Sequence, residues 1–170
     1  MKLWLAIIFI LLIGPAPVRA GWELEVDPFA YGLKGYSGHL AWAASDWRVD
    51  AGVFGLETPT GYYQEHWVVK MDGYGAKLHF LSDGAFFWGL AAGGGHLTFG
   101  RDDLASEQVR NFTSSGLEAG WRFGTGNWYW VPWVGVNRFA IAGEPVDWAG
   151  DTLEMPGWQV FPTIHLGFRF

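Results

Sequence analysis

The sequence has no cysteine and few basic residues, and both shortages limit what the chain can be. Without cysteine in its 170 residues, neither a disulfide nor a lipid-modified cysteine can hold the protein in place. Only 11 Lys and Arg stand against 17 Asp and Glu, which gives a formal net charge of −6. An acidic chain lacks the positive surface that attracts phosphate backbones, so we expect no nucleic-acid partner.

Long apolar runs are also scarce, and the one clear example lies at the start of the chain. Leu3 to Ile13 is an unbroken stretch of 11 apolar residues, and the small residues Val18 and Ala20 follow it. A membrane-spanning helix needs about 20 apolar residues, so this stretch is too short for a membrane anchor. The pattern predicts a cleaved secretory signal peptide at residues 1–20 and a single mature domain at 21–170.

The mature region shows no helical periodicity and alternates instead with a period of two residues. In "AFFWGLAAGGG", Phe86, Trp88 and Leu90 share one face, and small residues occupy most of the other. The segments "WRVDAGVFG" and "SGLEAGWRFG" alternate in the same way. Strict alternation over such lengths predicts β-strands. We expect eight strands, at about 22–32, 35–44, 47–57, 66–81, 85–99, 108–124, 127–142 and 158–170.

The connections between these strands alternate between short and long. Tight turns are expected at Ser45-Asp46, Asp83-Gly84 and Thr125-Gly126, and longer loops at about 57–65, 100–108 and 143–157. In an up-and-down sheet, this order places every short turn at one end and every long loop at the other.

Four positions interrupt the regular pattern. Pro28, Pro132 and Pro162 lie within predicted strands, where proline weakens backbone pairing unless it sits at a bulge or an irregular end. The alternation also slips by one residue near Asp72-Gly73, which predicts a β-bulge there.

The apolar face carries large aromatic side chains close to the tight turns, whereas the other face mixes charges with glycine. These aromatics are Trp47, Phe80, Phe86, Phe123, Trp128, Phe168 and Phe170. A soluble lipocalin-like barrel, the alternative, would turn its polar face outward, whereas a membrane barrel turns its apolar face toward lipid. The pattern favours an all-β fold: an eight-stranded antiparallel up-and-down transmembrane β-barrel with a filled polar lumen.

The final strand carries the alternating apolar residues Ile164, Leu166, Phe168 and Phe170. Together with the signal peptide and the alternating strands, this ending resembles the small outer-membrane β-barrels of Gram-negative bacteria. These are similar in plan to the outer membrane protein X and protein A barrels. The resemblance implies a monomer in the cell outer membrane, in contact with outer-membrane lipids and lipopolysaccharide. It also implies that the barrel-assembly machinery recognises the last strand as an assembly signal.

Four basic and four acidic residues are expected to face the lumen near the short turns. They are Arg48, Lys77, Arg122, Arg169, Glu23, Glu25, Asp50 and Glu118. Because an unpaired buried charge is costly, this balance predicts mutual neutralisation in a closed charge network. Closure of the barrel should bring Arg169 close to Glu23 or Glu25. A proton or ion path is the alternative interpretation.

Ser37 and His39 share one strand face two residues apart, where an imidazole could activate a hydroxyl. This pair supports the alternative of a lipid A-modifying, deacylase-like enzyme, although polar lining of the lumen explains it as well. His66 and His96 lack the spacing of a metal site, so no metal or cofactor is expected. The expected function is a structural or interaction role without catalysis. A small binding barrel or minor channel is the remaining alternative.

The last long loop, "GEPVDWAGDTLEMPG", carries four acidic residues and no basic one. We expect a solvated loop. The alternative is that its carboxylates hold divalent cations between neighbouring lipopolysaccharide groups.

Overall fold

The computed structural model describes residues 20–82, 85–148 and 150–170. The predicted signal peptide lies outside these ranges except for Ala20, and so does the predicted turn at Asp83-Gly84. The described elements are β1 (Gly21–Val26), α1 (Pro28–Gly32), β2 (Tyr36–Ala43), β3 (Trp47–Glu57), β4 (Trp67–Ser82), β5 (Phe86–Arg101), β6 (Glu107–Trp121), β7 (Phe123–Thr125), β8 (Trp128–Ile141), β9 (Val146–Trp148), β10 (Asp151–Leu153) and β11 (Trp158–Arg169). Among the described residues, no helix is long and apolar enough to cross a membrane.

The sheet is antiparallel and returns to its first strand. Consecutive strands pair in the order β1-β2-β3-β4-β5-β6-β8-β11, and β11 pairs again with β1. The short strand β7 continues β6 and pairs with β8. The predicted all-β, antiparallel, up-and-down architecture is therefore confirmed, and we call this curled sheet the barrel. Its short-turn end holds the connections after β2, β4 and β7, and its long-loop end holds the connections after β1, β3, β5 and β8.

The prediction of one strand over residues 22–32 is wrong, because this segment turns into a helix. β1 ends at Val26, and Asp27 caps α1 by accepting a hydrogen bond from the Phe29 amide at 2.8 Å. Pro28 takes the first helical position, where its missing N–H leaves no donor unpaired and its fixed backbone angle suits a helix. A proline that would weaken a strand therefore begins a helix.

The early end of β1 leaves a gap in the barrel wall. β1 pairs only with residues 166–169 of β11, and α1 lies beside the rest of β11 where a strand would otherwise continue. In an antiparallel ladder, every second backbone nitrogen of a strand faces the same neighbouring strand. The Phe170 amide donates to Trp22 of β1, so the nitrogen of Pro162 also faces the side of β1 and α1, where no strand pairs with it. Pro162 therefore loses no ladder hydrogen bond. We call the space between residues 158–165 of β11 and the start of β2 the α1 gap.

Pro132 also lies at an irregular end of pairing. The pairing of β6 with β8 stops at Gly120 and resumes in β7 at Phe123, with unchanged register. By the alternation of the ladder, the nitrogen of Pro132 faces this interruption. The Arg122 amide, inside the interruption, faces β5 and donates to the Ala85 carbonyl at 2.9 Å.

The predicted bulge at Asp72-Gly73 is wrong, since β4 keeps one continuous register with both β3 and β5. The slip in the sequence marks a change of chemistry instead. Lys77 and His79 occupy the inward face near the short-turn end, and from Met71 toward the long-loop end that face becomes apolar.

The long-loop half of the interior is an apolar core. Its buried residues are Trp67, Val69, Met71, Leu97, Phe99, Phe112, Phe139, Val146, Leu153 and Met155. The last three belong to the loop between β8 and β11, whose hairpin of β9 and β10 packs onto the end of the barrel. The prediction of a polar lumen is therefore wrong for this half, because apolar side chains from both strands and loop fill it.

The same loop is anchored by its carboxylates, although we expected it to be solvated. Asp151 accepts hydrogen bonds from Arg101 Nη1 at 2.8 Å, from Trp67 Nε1 at 3.0 Å and from Gln64 Nε2 at 2.8 Å. The hydrogen bond from the Trp67 indole lowers the pKa of the Asp151 carboxyl. Within the described ranges, no group of three or more His, Asp or Glu residues could hold a metal ion.

Leu97→Ala tests the apolar core. Leu97 is fully buried, so the substitution should lower the free energy of unfolding by about 2–5 kcal/mol through lost burial and a new cavity. Urea unfolding followed by tryptophan fluorescence measures the change. Leu90→Ala is the matched control, because Leu90 faces outward on the same strand and its loss leaves no cavity. Equal losses for the two variants would contradict a core in this half.

Candidate functional site: a buried charge network

Inward-facing charges fill the short-turn half of the barrel. The strand alternation places them on β1, β3, β4, β6 and β11, and Arg122 projects from the interruption between β6 and β7. The structure brings together all eight residues that the sequence pointed to: Glu23, Glu25, Arg48, Asp50, Lys77, Glu118, Arg122 and Arg169. It adds His39, His79, Tyr129 and His165 to the same cluster.

Arg48 lies at the centre of this network and is 2% exposed. Its Nε donates to Glu23 Oε2 at 2.9 Å, and its Nη2 lies 2.8 Å from Glu25 Oε1 and 3.0 Å from Asp50 Oδ2. Its Nη1 lies 3.1 Å from Nδ1 of His79. A guanidinium presents five N–H donors in a fixed planar fork. The single side chain of Arg48 can therefore bind three carboxylates at once.

Glu23 is the most shared carboxylate of the network. Besides Arg48, it accepts from Arg122 Nη2 at 2.7 Å and from Arg169 Nε at 3.1 Å. These three arginines come from β3, from the end of β6 and from β11. Glu23 therefore connects the first strand of the barrel with the last strand and with the opposite wall.

Glu25 is bound by Tyr129 and His165 as well as by Arg48. The Tyr129 hydroxyl donates to it at 2.9 Å, and Nδ1 of His165 lies 2.9 Å from its other oxygen. The Arg122 guanidinium lies 4.1 Å above the Tyr129 ring, a cation–π contact. Sequence reasoning missed Tyr129, although the alternation of β8 places it on the inward face between two outward tryptophans.

A second part of the network surrounds Glu118. Lys77 Nζ lies 3.3 Å from one carboxylate oxygen, and Nε2 of His79 contacts the other. Lys77 also lies 4.0 Å from the centre of the Trp133 ring. Because His79 contacts both Glu118 and Arg48, it joins the two parts of the network.

The network blocks the interior of this half. Its four basic residues balance its four acidic residues, as the spacing on the strands predicts. The space left among them is a cavity of about 10 Å³, which is room for about one water molecule. This arrangement can hold strands in register, and the described side chains of this half leave no continuous path for ions.

Ser37 and His39 are both buried on the inward face of β2, but they serve different partners. The Ser37 hydroxyl accepts a hydrogen bond from the Asp27 amide at 3.1 Å, beside the start of α1. Nδ1 of His39 lies 3.0 Å from Asp50 Oδ1, which makes His39 part of the network. In the part of the chain that the structure describes, no hydrogen bond joins Ser37 to His39.

A larger cavity of about 240 Å³ lies between the charge network and the apolar core. Small inward residues, including Gly75, Ala91 and Gly93, leave this space open. Trp133 lines it, and the buried indole N–H of Trp133 has no hydrogen-bond acceptor among the described residues. We call this space the waist cavity.

Outward aromatic side chains surround the short-turn end. Ring pairs join neighbouring strands at centroid distances of 4.6–5.2 Å: Trp22–Trp42, Phe80–Trp88, Phe86–Trp121, Phe123–Trp130 and Trp128–Phe168. We call this set the aromatic belt. The predicted assembly-signal residues Ile164, Leu166 and Phe168 lie on the outward face of β11, and Phe170 follows with 61% of its surface exposed.

Comparisons with known proteins identify no relative. A scan against protein-family models, a search of curated proteins and a search of solved structures each return no match. The resemblance to small outer-membrane barrels therefore stays a prediction.

Arg48→Met tests whether the network depends on its central cation. The substitution keeps much of the side-chain volume but leaves three buried carboxylates without their shared partner, so we expect a loss of about 3–5 kcal/mol in unfolding free energy. Denaturant unfolding measures it. Lys34→Met is the control: Lys34 pairs with Glu57 at 2.5 Å on the surface, and its loss should cost about 1 kcal/mol or less. A near-neutral Arg48→Met would show that the network adds nothing to stability.

Proposed function

We propose that this chain is an outer-membrane β-barrel protein with a structural or interaction role, without catalysis and with a closed interior. The observation that supports the proposal is the inversion of its surfaces: the outside is apolar where the inside is charged. The exposed outward residues include Trp22, Leu24, Leu40, Trp47, Val49, Val53, Trp88, Leu90, Leu117, Trp121, Trp128, Val134, Val136, Val160 and Leu166. So large an apolar surface is unfavourable in water but is solvated by lipid in a bilayer.

The height of the apolar band agrees with a bilayer. On β3 the outward residues from Trp47 to Gly55 carry no charge over nine residues, and on β8 the same holds from Trp128 to Val136. A tilted transmembrane strand needs about 9–11 residues. Toward the long-loop end, outward positions on β4 become polar at Asp72, which marks one edge of the band.

The aromatic belt supplies the other edge. Tryptophan and other aromatic residues concentrate where hydrocarbon meets the polar headgroups, because their rings are apolar and carry a polar or polarisable edge. The belt follows the barrel at the level of the short turns, as such a girdle would.

The proposal includes the surroundings of the protein. Outer-membrane lipids would contact the apolar band, and lipopolysaccharide would contact the polar side chains at the long-loop end. The outward stripe of Ile164, Leu166 and Phe168 on β11, with Phe170 after it, is the segment that the barrel-assembly machinery would recognise. We expect a monomer.

The charge network and the contacts of Ser37 disfavour two other functions that the sequence left open, a channel and an enzyme. A minor channel would need a path past Arg48, which the network blocks. A lipid A-modifying enzyme would need the Ser37 hydroxyl to be hydrogen-bonded to an imidazole. That hydroxyl instead accepts a hydrogen bond from the Asp27 amide and helps to fix α1.

Leu117→Arg tests the membrane location. Leu117 is 59% exposed within the apolar band, so an arginine there should lower stability by about 2–4 kcal/mol in a phospholipid bilayer. On a water-exposed surface the same change would cost within about 0.5 kcal/mol. Reversible guanidinium unfolding in phospholipid vesicles measures the difference.

Val109→Arg is the matched control on the same strand. Val109 is 55% exposed but lies toward the long-loop end, beyond the outward polar residues Asn111 and Thr113, so its substitution should cost about 1 kcal/mol or less. Two near-zero values, or a protein that fractionates as soluble without detergent, would contradict the proposal. Heat-modifiable gel mobility in outer-membrane fractions would support it.

Ser37→Ala tests the non-catalytic role. We expect the mass spectrum of lipid A to be the same in cells with the wild type, with Ser37→Ala and without the protein. The reason is that the Ser37 hydroxyl fixes the start of α1 and does not act as a nucleophile. A change in acylation that the wild type restores and Ser37→Ala does not would overturn the proposal in favour of the enzyme.

A further inference from the structure

The waist cavity lies directly behind the α1 gap. Phe29 of α1, Leu33 directly after α1, and Phe161 and Pro162 of β11 all line the cavity, and the same residues border the gap. Elsewhere in the described wall, paired strands separate the inside from the outside, apart from the short interruption between β6 and β7 at Arg122. Here only a five-residue helix stands between the cavity and the exterior.

The helix α1 is held to its neighbours by few bonds. Thr163 Oγ1 donates to Asp27 Oδ2 at 2.7 Å, the Asp27 amide donates to Ser37 Oγ at 3.1 Å, and the Tyr31 hydroxyl donates to the Ser37 carbonyl at 2.9 Å. One backbone bond joins the residue after it, Leu33, to β3. The helix can therefore shift while the ladders on both sides of the gap remain intact.

The outer face of α1 is apolar. Phe29 and Tyr31 expose 57% and 54% of their surfaces, and Leu33 exposes 37%. If the barrel spans a bilayer, as proposed above, these side chains face hydrocarbon. The gap then opens toward lipid and not toward water.

The lining of the cavity divides by chemistry. Aromatic and aliphatic side chains close it toward the long-loop end: Phe54, Leu56, Met71, Phe139 and Phe161. Polar side chains form its floor above the charge network: His39, Lys77, Trp133, Thr163 and His165. Such a site suits a molecule with one apolar part and one small polar end.

The floor offers one unused donor and two ring nitrogens. The Trp133 indole N–H is buried and lacks an acceptor in the described chain. Nδ1 of His39 and of His165 contact carboxylates that also bind Arg48. An ionised carboxylate only accepts, so Nδ1 carries a proton in each ring, and Nε2 is the nitrogen left for a ligand.

We propose that the waist cavity binds the carboxyl end of a single-chain fatty acid, whose alkyl chain passes through the α1 gap into the bilayer. The carboxyl C=O accepts from Trp133, and its O–H donates to a histidine Nε2. A volume of about 240 Å³ is below the roughly 300–1,000 Å³ of sites for drug-sized ligands, so one chain end fits and a two-chain lipid does not. The route depends on the proposed membrane location, whereas the cavity does not.

Binding of dodecanoic acid labelled with ¹³C at the carboxyl tests the site. We expect saturable one-to-one binding to the protein in phospholipid nanodiscs, seen as a shifted ¹³C resonance. Ala91→Leu, which fills the cavity from the inward face of β5, should weaken the affinity at least about tenfold. Ala51→Leu, the same change at an outward position of β3 that does not line the cavity, should stay within about twofold. Trp133→Phe should weaken it about tenfold through the lost hydrogen bond.

Three outcomes would overturn the site. They are equal affinities for Ala91→Leu and Ala51→Leu, non-saturable partitioning of the probe, or binding of dodecane as tight as that of the acid. Failure of the membrane proposal is distinguishable from these, because a protein that needs no detergent can be titrated with the same acid in buffer.

A locked helix tests the route. The chain has no cysteine of its own, so Asp27→Cys/Thr163→Cys allows α1 to be joined to β11 with a short, reducible bis-methanethiosulfonate cross-linker. Cross-linking should slow exchange of the labelled acid at least about tenfold, and reduction should restore the rate in the same sample. Exchange that is equally fast in both states would exclude entry through the α1 gap.

Discussion

The sharing of one buried carboxylate among three arginines is the interaction on which the barrel depends. Glu23 has no exposed surface, and its arginine partners come from β3, from the end of β6 and from β11. A carboxylate buried without cations costs several kcal/mol, so these strands must meet around it in one register. The contact between β1 and β11 therefore depends on the ion pairs that Glu23 makes inside the barrel.

The inside of the barrel changes character where the outside does. On β4, the inward Lys77 accompanies outward apolar residues, whereas the inward Met71 lies beside the outward Asp72. Since successive side chains of a strand point to opposite faces, each level of the wall carries a polar and an apolar side. The polar and apolar faces change places halfway along the strand. The interior therefore has a charged layer near the short turns and an apolar layer near the long loops, and small residues such as Gly75 and Gly93 leave a cavity between the two layers.

Period-two alternation was enough to predict most of the strands and the eight inward charges, because it assigns each side chain to a face. It could not identify α1, since the residues after Pro28 are apolar in either conformation. It also missed the hairpin that buries Val146 and Leu153, because loop residues have no period that indicates which side chains turn inward. The role of Tyr129 depends on a hydroxyl reaching Glu25 across the interior, a distance that only the curvature of the sheet determines.

The four residue pairs between β1 and β11 contrast with the sixteen between β4 and β5. Contacts across the first of these boundaries join residues far apart in the chain: Glu25 and His165 are 140 positions apart. The entropy lost in closing a loop rises with its length, and four ladder pairs offset little of it. This boundary therefore closes as one cooperative unit, in which ladder bonds and ion pairs form together, whereas the hairpins can pair residue by residue.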